Sequence, residues 1–263
     1  AAASIGQVHK TISPDGREIV LKVQYPGVAD SIDSDVDNIA TLLRLPGLLP
    51  AELDIKPLLE DAKLQLKGEA DYLKEAKYLQ EFGKLLRNDK RFVLPEALPE
   101  LTHRNVLAMT YVSGSSIDTL VTASQAERDR VMSALLELML LEFFELKLVQ
   151  TDPNFANYQY RPNTGEIVLL DFGATRRFKA SFVNQYRKLA QAAIDGDMDQ
   201  LAGAAEHLGY ALGEPGSPYR EMVLEFLVLA MEPVCEDVAY DFSRSKIASN
   251  MSKLGEEVLD FKE

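Results

Sequence analysis

In Thr151-Asp152-Pro153-Asn154-Phe155-Ala156-Asn157 an aspartate precedes an asparagine by five positions. An apolar run, Ile167 to Leu170, then delivers Asp171-Phe172-Gly173 nineteen positions after that first aspartate. This ordered set constrains the chain more than any other feature. It reads as a loop holding Asp152 to Asn157, a strand Ile167 to Leu170 and the Asp171-Phe172-Gly173 turn. The resulting oxygen ligands suit Mg²⁺ held against phosphates, while a free carboxylate orients or deprotonates an acceptor. Asp152 is the candidate catalytic residue, and Asn157 and Asp171 are the candidate metal ligands. A lone Asp is most often a turn or cap residue, and a lone Asp-Phe-Gly carries little weight. The ordered pair of motifs is far more specific, because order and spacing match a phosphotransfer loop of the protein-kinase type.

Upstream, Ile19-Val20-Leu21-Lys22-Val23 sets a lysine inside a β-type run. A strand lysine usually faces solvent, but with the downstream motifs Lys22 becomes a candidate phosphate contact. Gln7 to Thr11 and Glu18 to Gln24, joined by Ser13-Pro14-Asp15-Gly16, read as a hairpin. From Asp54 to Arg87 apolar residues recur at three- and four-residue steps, which predicts one long helix. On it Glu75 shares a face with Tyr72, Leu79, Phe82 and Leu86, and Glu69 shares one with Ala62, Leu66, Leu73 and Ala76. An unpaired charge on an apolar stripe is costly, so both carboxylates are candidate partners for a cation, with a solvated rim position as the bland alternative. The first residues, Ala1-Ala2-Ala3-Ser4-Ile5-Gly6-Gln7-Val8, stand where a kinase would carry a Gly-rich loop. Alanine keeps backbone amides further from phosphate oxygens than glycine does, so a nucleotide should be held differently here.

Composition narrows the partners. A net charge of -13 argues against nucleic acid, whose backbone requires clustered Lys and Arg. One cysteine, Cys235, excludes an internal disulfide and a Cys-based metal framework. It reads as a small core residue. The richest apolar run, Met132 to Val149, is interrupted by Glu137, Glu142, Glu145 and Lys147, so no membrane span is expected. The start has neither an initiator Met nor a charged n-region, and an upstream segment is expected.

Asn105 to Val112 returns to a strand, and Ser113-Gly114-Ser115-Ser116 breaks it. Ser124-Gln-Ala-Glu127 has the form of a capping box that opens a helix to about Leu148, and the chain from Ala180 onward reads helical. The expected class is α+β, with residues 1–112 forming a small strand-rich lobe with a long helix and 113–263 a mostly helical lobe carrying the catalytic loop.

Ala-Ala-Ala-Ser-Ile-Gly-Gln-Val-His at the start, Leu-Lys-Val-Gln-Tyr-Pro-Gly-Val around Lys22, Glu69-Ala-Asp71, and Gln-Thr-Asp-Pro-Asn ahead of Asp-Phe-Gly-Ala-Thr-Arg closely resemble the UbiB/ADCK atypical kinase family, across nearly the whole chain. The resemblance implies a protein-kinase-like two-lobed fold and ATP- (or ADP-) and Mg²⁺-dependent activity supporting ubiquinone biosynthesis. It also implies isoprenoid quinone precursors or quinone-biosynthesis proteins as partners, and peripheral membrane association. It implies that Lys22 contacts nucleotide phosphates with Glu75 as its partner, and that Glu69 and Asp71 form the family's Glu-x-Asp element. It assigns Ala1, Ala2, Ala3, Ser4, Gly6 and Val8 to the nucleotide-covering loop, and Thr110, Tyr111, Val112 and Ser113 to a hinge that meets adenine through its backbone. The family's upstream Lys-x-Gly-Gln segment is absent from this sequence. Gln150-Thr151-Asp152 resembles the subgroup that includes the mitochondrial coenzyme Q proteins and some bacterial relatives, and with a pI near 4.8 the expected location is the bacterial cytoplasm, peripheral at the inner membrane, or, alternatively, the mitochondrial matrix.

Other classes leave discriminating features. Asp195, Asp197, Asp199 and Glu206 mimic calcium-loop positions, but Gln200 replaces the required Gly, and an acidic helix N-terminus is preferred. His9, His103 and His207 are scattered and read as satisfied polar residues. A non-catalytic nucleotide- or lipid-binding scaffold would tolerate loss of Asp152, Asn157 and Asp171. A small-molecule kinase would share the Asp/Asn loop, but the Ala-rich start argues against it.

Overall fold

The computed structural model describes residues 2–3, 5–43 and 55–260, with the backbone alone at 2–3 and 256–260. Ala1, Ser4 and Asp54, the expected start of the long helix, lie outside the described residues. The chain divides into two compact units, one formed by Ala1–Leu140 with Leu148–Arg176 and the other by Leu141–Lys147 with Arg177–Glu263. The boundary expected after Val112 falls within the first unit. The chain on both sides of that point belongs to the first unit, because the strands that follow it pair with one another and with a strand that precedes it.

In the first unit, β1 (Ala2–Ala3), β2 (Gly6–Ile12) and β3 (Glu18–Gln24) are antiparallel neighbours. The β2–β3 connection is the expected tight turn, closed by Gly16 N–H to Ser13 O at 2.8 Å and Ser13 N–H to Arg17 O at 2.9 Å. Gly16 supplies the left-handed φ of 86° that the turn needs. Helix α1 (Val28–Leu43) follows, burying Ile32, Val36 and Ala40 at four-residue steps. Asp30, Asp33, Asp35 and Asp37 mask the short apolar stripe of this helix in the sequence. Two of these acids meet the next helix, Asp37 with Lys63 at 2.6 Å and Asp33 with Lys67 at 2.7 Å.

The helix expected across 54–87 is two helices, α2 (Lys56–Glu69) and α3 (Tyr72–Leu85). Asp71 breaks them: its backbone leaves the helical region and its side chain accepts from Lys74 N–H as the N-cap of α3. After the break α3 buries Tyr72, Glu75, Ala76, Leu79 and Phe82, the stripe that the sequence marks out for Glu75.

Beyond β4 (Phe92–Val93), strand β5 (Val106–Thr110) joins β3 antiparallel, so the first sheet runs β1-β2-β3-β5. Ile19, Leu98 and Ala108 form a small core there. After β6 (Ser115–Ser116), helix α4 (Gln125–Leu140) starts with half of its expected capping box. Ser124 Oγ accepts from Glu127 N–H at 3.3 Å, but the Glu127 carboxylate takes the Tyr160 hydroxyl instead of closing the box. The helix does not reach Leu148. Residues Leu141–Leu146 form a π-helical turn, Lys147 has φ 55°, and β7 (Leu148–Gln150) begins. The hairpin β8 (Tyr158–Arg161) and β9 (Glu166–Leu169) is flanked by β4 and β6 in a sheet of order β4-β9-β8-β6, and β10 (Thr175–Arg177) pairs with β7.

The second unit is helical, with α5 (Ala180–Asp195), α6 (Met198–Leu208), α7 (Pro218–Met231) and α8 (Ile247–Asp260). Leu189, Ala193, Leu201, Ala205, Leu224 and Leu227 are among its core residues. The acidic cluster at its centre is a helix start: Asp197 caps α6 by accepting from Gln200 N–H.

Candidate active site

Lys22 sits at the middle of β3, opposite Val8 on one side and Leu107 on the other, so both of its backbone neighbours are sheet strands. Its side chain is buried. The ammonium donates to Glu75 Oε1 at 2.6 Å and to Asp171 Oδ2 at 2.9 Å. Glu75, in the first turn of α3, is 3% exposed, so the residue that the apolar stripe flagged is a buried charge with a buried partner. Burial works against the Lys22 ammonium, but the Glu75 and Asp171 carboxylates outweigh it and hold its pKa above the ordinary lysine value. Burial also pushes the Glu75 carboxyl up, against the pull of Lys22. Asp171 is desolvated too, yet Lys22 and the Gly173 N–H keep it below its ordinary value. One cation between two carboxylates leaves an excess negative charge beside Lys22, and Asp171 is the more exposed of the two acids.

The Asp-Phe-Gly turn is held from within. Asp171 Oδ1 accepts from Gly173 N–H at 2.9 Å, and Phe172 packs on Phe82 of α3 with ring centroids 4.9 Å apart. Gly173 lies where three acidic residues converge. A Cβ built on it would stand 3.4 Å from Asp171 Oδ1, 3.6 Å from Glu75 Oε2 and 3.8 Å from Glu69 Cα. Glu69 is half-buried; desolvation raises its pKa, and the charges of Asp171 and Asp152 add to this. The catalytic loop is equally local. Asn157 Nδ2 donates to Asp152 Oδ2 at 2.9 Å and to the Asp152 carbonyl at 3.1 Å, and Leu170 N–H donates to Asn157 O at 3.0 Å. The five-residue spacing therefore closes a loop whose ends meet just before Asp171.

Lys22, Glu75, Asp171, Asp152, Asn157 and Glu69 are thus brought into one region of the first unit. Asp71 is not among the converging carboxylates, because its side chain is spent on the α3 N-terminus. The break it makes is tied to the sheet by Gln24 Nε2, which donates to Ala70 O at 2.6 Å, a contact with no sequence signal. At the other end of the sheet, Thr110 N–H is engaged by Glu96 O at 2.9 Å and Tyr111 N–H by Glu18 O at 3.0 Å, while Ser113 O accepts from Arg161 at 2.8 Å. Gly6 has a steric reason: a Cβ there would fall 2.3 Å from Val23 O. A larger cavity of about 890 Å³ in the second unit, walled by α7 and α8 residues with Cys235 and Tyr240, contains none of these groups.

A family model described as ABC1 atypical kinase-like domain matches residues 1–205. The chain belongs to the ABC1 atypical kinase-like family. All the residues of the site fall inside the matched span. The chain is 38% identical over 254 residues to the atypical kinase COQ8B, mitochondrial, of Rattus norvegicus, covering 97% of this chain and 48% of that protein. It is 38% identical over 253 residues to the atypical kinase COQ8, mitochondrial, of Saccharomyces cerevisiae, covering 95% of this chain and 50% of that protein. The ABC1 chain therefore spans about half the length of these curated relatives. Among solved structures, the Rv3197–erythromycin complex from Mycobacterium tuberculosis superposes with a TM-score of 0.71 at 22% identity, over 98% of this chain and 71% of that one. The expected α+β, kinase-like fold and the UbiB/ADCK resemblance are both borne out. Among the described residues no helix is long and apolar enough to cross a membrane.

Proposed function

We propose that the ABC1 domain binds ATP (or ADP) with Mg²⁺ at the Lys22–Asp171 site and acts as a phosphotransferase or ATPase. The observation that supports this best is the buried Lys22 held between Glu75 and Asp171 at 2.6 and 2.9 Å. A lysine serving only the core would not need two carboxylates, one of them partly open to solvent, and a buried ion pair is weak evidence of stability alone. In this reading Lys22 releases Asp171 and turns to the nucleotide phosphates, with Glu75 fixing its position. Asn157 and Asp171 would hold Mg²⁺: the Asn157 Oδ1 and the Asp171 carboxylate are hard oxygen donors of the type this ion takes, and the ion would neutralise charge on the phosphate oxygens. Asp152, exposed and oriented by Asn157, receives the acceptor's proton or positions a water. Val112 and the Ser113 amide are left to meet adenine, because the Thr110 and Tyr111 amides and the Ser113 carbonyl are already engaged. The backbone of β1 and β2, from Ala2 and Ala3 to Gly6 and Val8, would cover the phosphates.

In the full-length protein this activity would support ubiquinone biosynthesis, with quinone precursors or the proteins that process them as partners. The sequence identity to proteins named as COQ8 atypical kinases supports this role. Their names also favour a mitochondrial setting over a bacterial one. The test is Mg²⁺-dependent ATP turnover by the full-length protein, with and without ubiquinone-precursor lipids, compared with Asp171→Asn. Turnover that the substitution abolishes is the expected result. Equal silence from both proteins while nucleotide still binds would make a scaffold the better reading.

A further inference from the structure

Beside Gly173 lies a smaller cavity of about 260 Å³. Its walls are α2 (Asp61, Gln65, Gly68), Lys74 of α3, and the chain just after the Asp-Phe-Gly turn, including Thr175 and Arg176. Nothing in the phosphotransfer reading uses these side chains. Their chemistry runs against that of the molecule. In a chain of net charge -13 the cavity carries two cations, Lys74 and Arg176, against one carboxylate, Asp61. Arg176 Nη2 is shared between Asp61 Oδ2 and Gln65 Oε1, each at 3.2 Å, and Asp61 itself is largely exposed. Lys74 forms no ion pair among the described residues. Its ammonium lies 5.6 Å from the Tyr78 ring centroid and 3.3 Å from where a Gly68 Cβ would stand, so it occupies room that any larger residue at 68 would fill. The wall also buries the Thr175 hydroxyl with no hydrogen-bond partner, and a buried polar group in that state needs an explanation.

We propose that this cavity is a second anion site, separate from that of the nucleotide, which takes the phosphate monoester of an acceptor molecule. A guanidinium and an ammonium converging on a space of this size match a phosphate group, with the guanidinium fork giving direction and the ammonium a movable point charge. Gly173 both lines the cavity and contacts Asp171 through its own N–H, which puts the anion next to the reacting centre. That last step rests on the phosphotransfer reading above; the anion site itself does not.

The experiment is calorimetric titration of the full-length protein with phenyl phosphate, and separately with inorganic phosphate, after MgADP binding has been measured and the nucleotide site saturated. We expect phenyl phosphate to bind, with a salt-dependent affinity that falls by about tenfold or more in Lys74→Ala and in Arg176→Ala, the loss typical of one charge-assisted hydrogen bond. Lys63→Ala, on α2 but outside the cavity, should bind as wild type. Lys74 is solvent-facing, so its variant keeps the test alive if Arg176→Ala fails to fold. Tighter binding of phenyl phosphate than of inorganic phosphate assigns the site to an ester-bearing acceptor; equal affinities reduce it to a free-phosphate site and overturn the acceptor assignment. No binding, binding that MgADP displaces, or equal loss in Lys63→Ala overturns the proposal. If MgADP itself fails to bind, the nucleotide reading fails and the phosphate titration is still read independently.

Discussion

Lys22 Nζ and Glu75 Oε1 meet at 2.6 Å across 53 residues of chain, and both side chains are withdrawn from water. Because Asp171 is the second carboxylate on the same ammonium, the two acids should respond differently to neutralisation. Glu75→Gln leaves Lys22 with a single partner at 2.9 Å and should cost about 2–3 kcal/mol, less than the roughly 3–5 kcal/mol of a buried charge left with none. Asp171→Asn removes the excess negative charge, keeps a neutral Lys22–Glu75 pair, and should leave stability nearly unchanged while ending turnover. Urea midpoints beside ATP turnover check both, and an Asp171→Asn protein less stable than Glu75→Gln would contradict this charge balance.

Asp71 separates a structural role from a chemical one. Its carboxylate accepts from Lys74 N–H at 3.1 Å and so fixes where α3 begins, three residues before Glu75. Asp71→Ala should lose about 1 kcal/mol, the usual worth of an N-cap, while Asp71→Asn retains the cap and the fold. If the Asn variant is folded but without turnover, the side chain does chemistry that its position in this structure does not explain.

The site was more legible than the path to it. Asp152, Asn157 and Asp171 announce themselves because a loop of fixed length needs fixed spacing, and Glu75 does so because a charge on a buried stripe needs a partner. The break at Ala70–Asp71 was hidden, since Ala70 favours helix and the apolar steps continue through it by coincidence of phase. Helix α1 was hidden by its acids, whose partners Lys63 and Lys67 lie some thirty residues away. The half-formed cap at Ser124 has the same origin: a carboxylate next to a helix start can be taken by a distant hydroxyl, here that of Tyr160, and local sequence contains no record of it.

Two glycines should respond in opposite directions to alanine. At Gly6 the added Cβ meets the Val23 carbonyl oxygen at 2.3 Å, a backbone atom that cannot rotate aside, so β2 must move off β3. Gly6→Ala should cost about 1–3 kcal/mol as overpacking and weaken nucleotide binding, because Val8 and Lys22 share that register. Gly83, inside α3, has nothing within 4 Å of its added Cβ, and Gly83→Ala should gain about 0.5–1 kcal/mol. Thermal unfolding of the two variants, with nucleotide affinity measured on each, gives both answers.

Alkaline pH probes the surroundings of the ion pair. The Tyr72 phenol, desolvated and close to the Glu75 charge, is pushed up to about 12. In the unfolded chain a tyrosine loses its proton near pH ~10. Between those values the folded protein binds more protons than the unfolded one, so stability falls as pH rises. Lys22, also raised, acts in the same direction: its contribution is complete below its unfolded value near ~10.4 and is lost as pH climbs through the folded one. Wild type should therefore lose stability steadily above about pH 10, and Tyr72→Phe should flatten part of that slope while leaving the Lys22 part in place. Denaturant midpoints from pH 8 upward, with tyrosinate absorbance recorded alongside, measure both. An unchanged slope in Tyr72→Phe would mean that the phenol titrates as freely in the fold as out of it, and that the space around Lys22 and Glu75 is wetter than their burial implies.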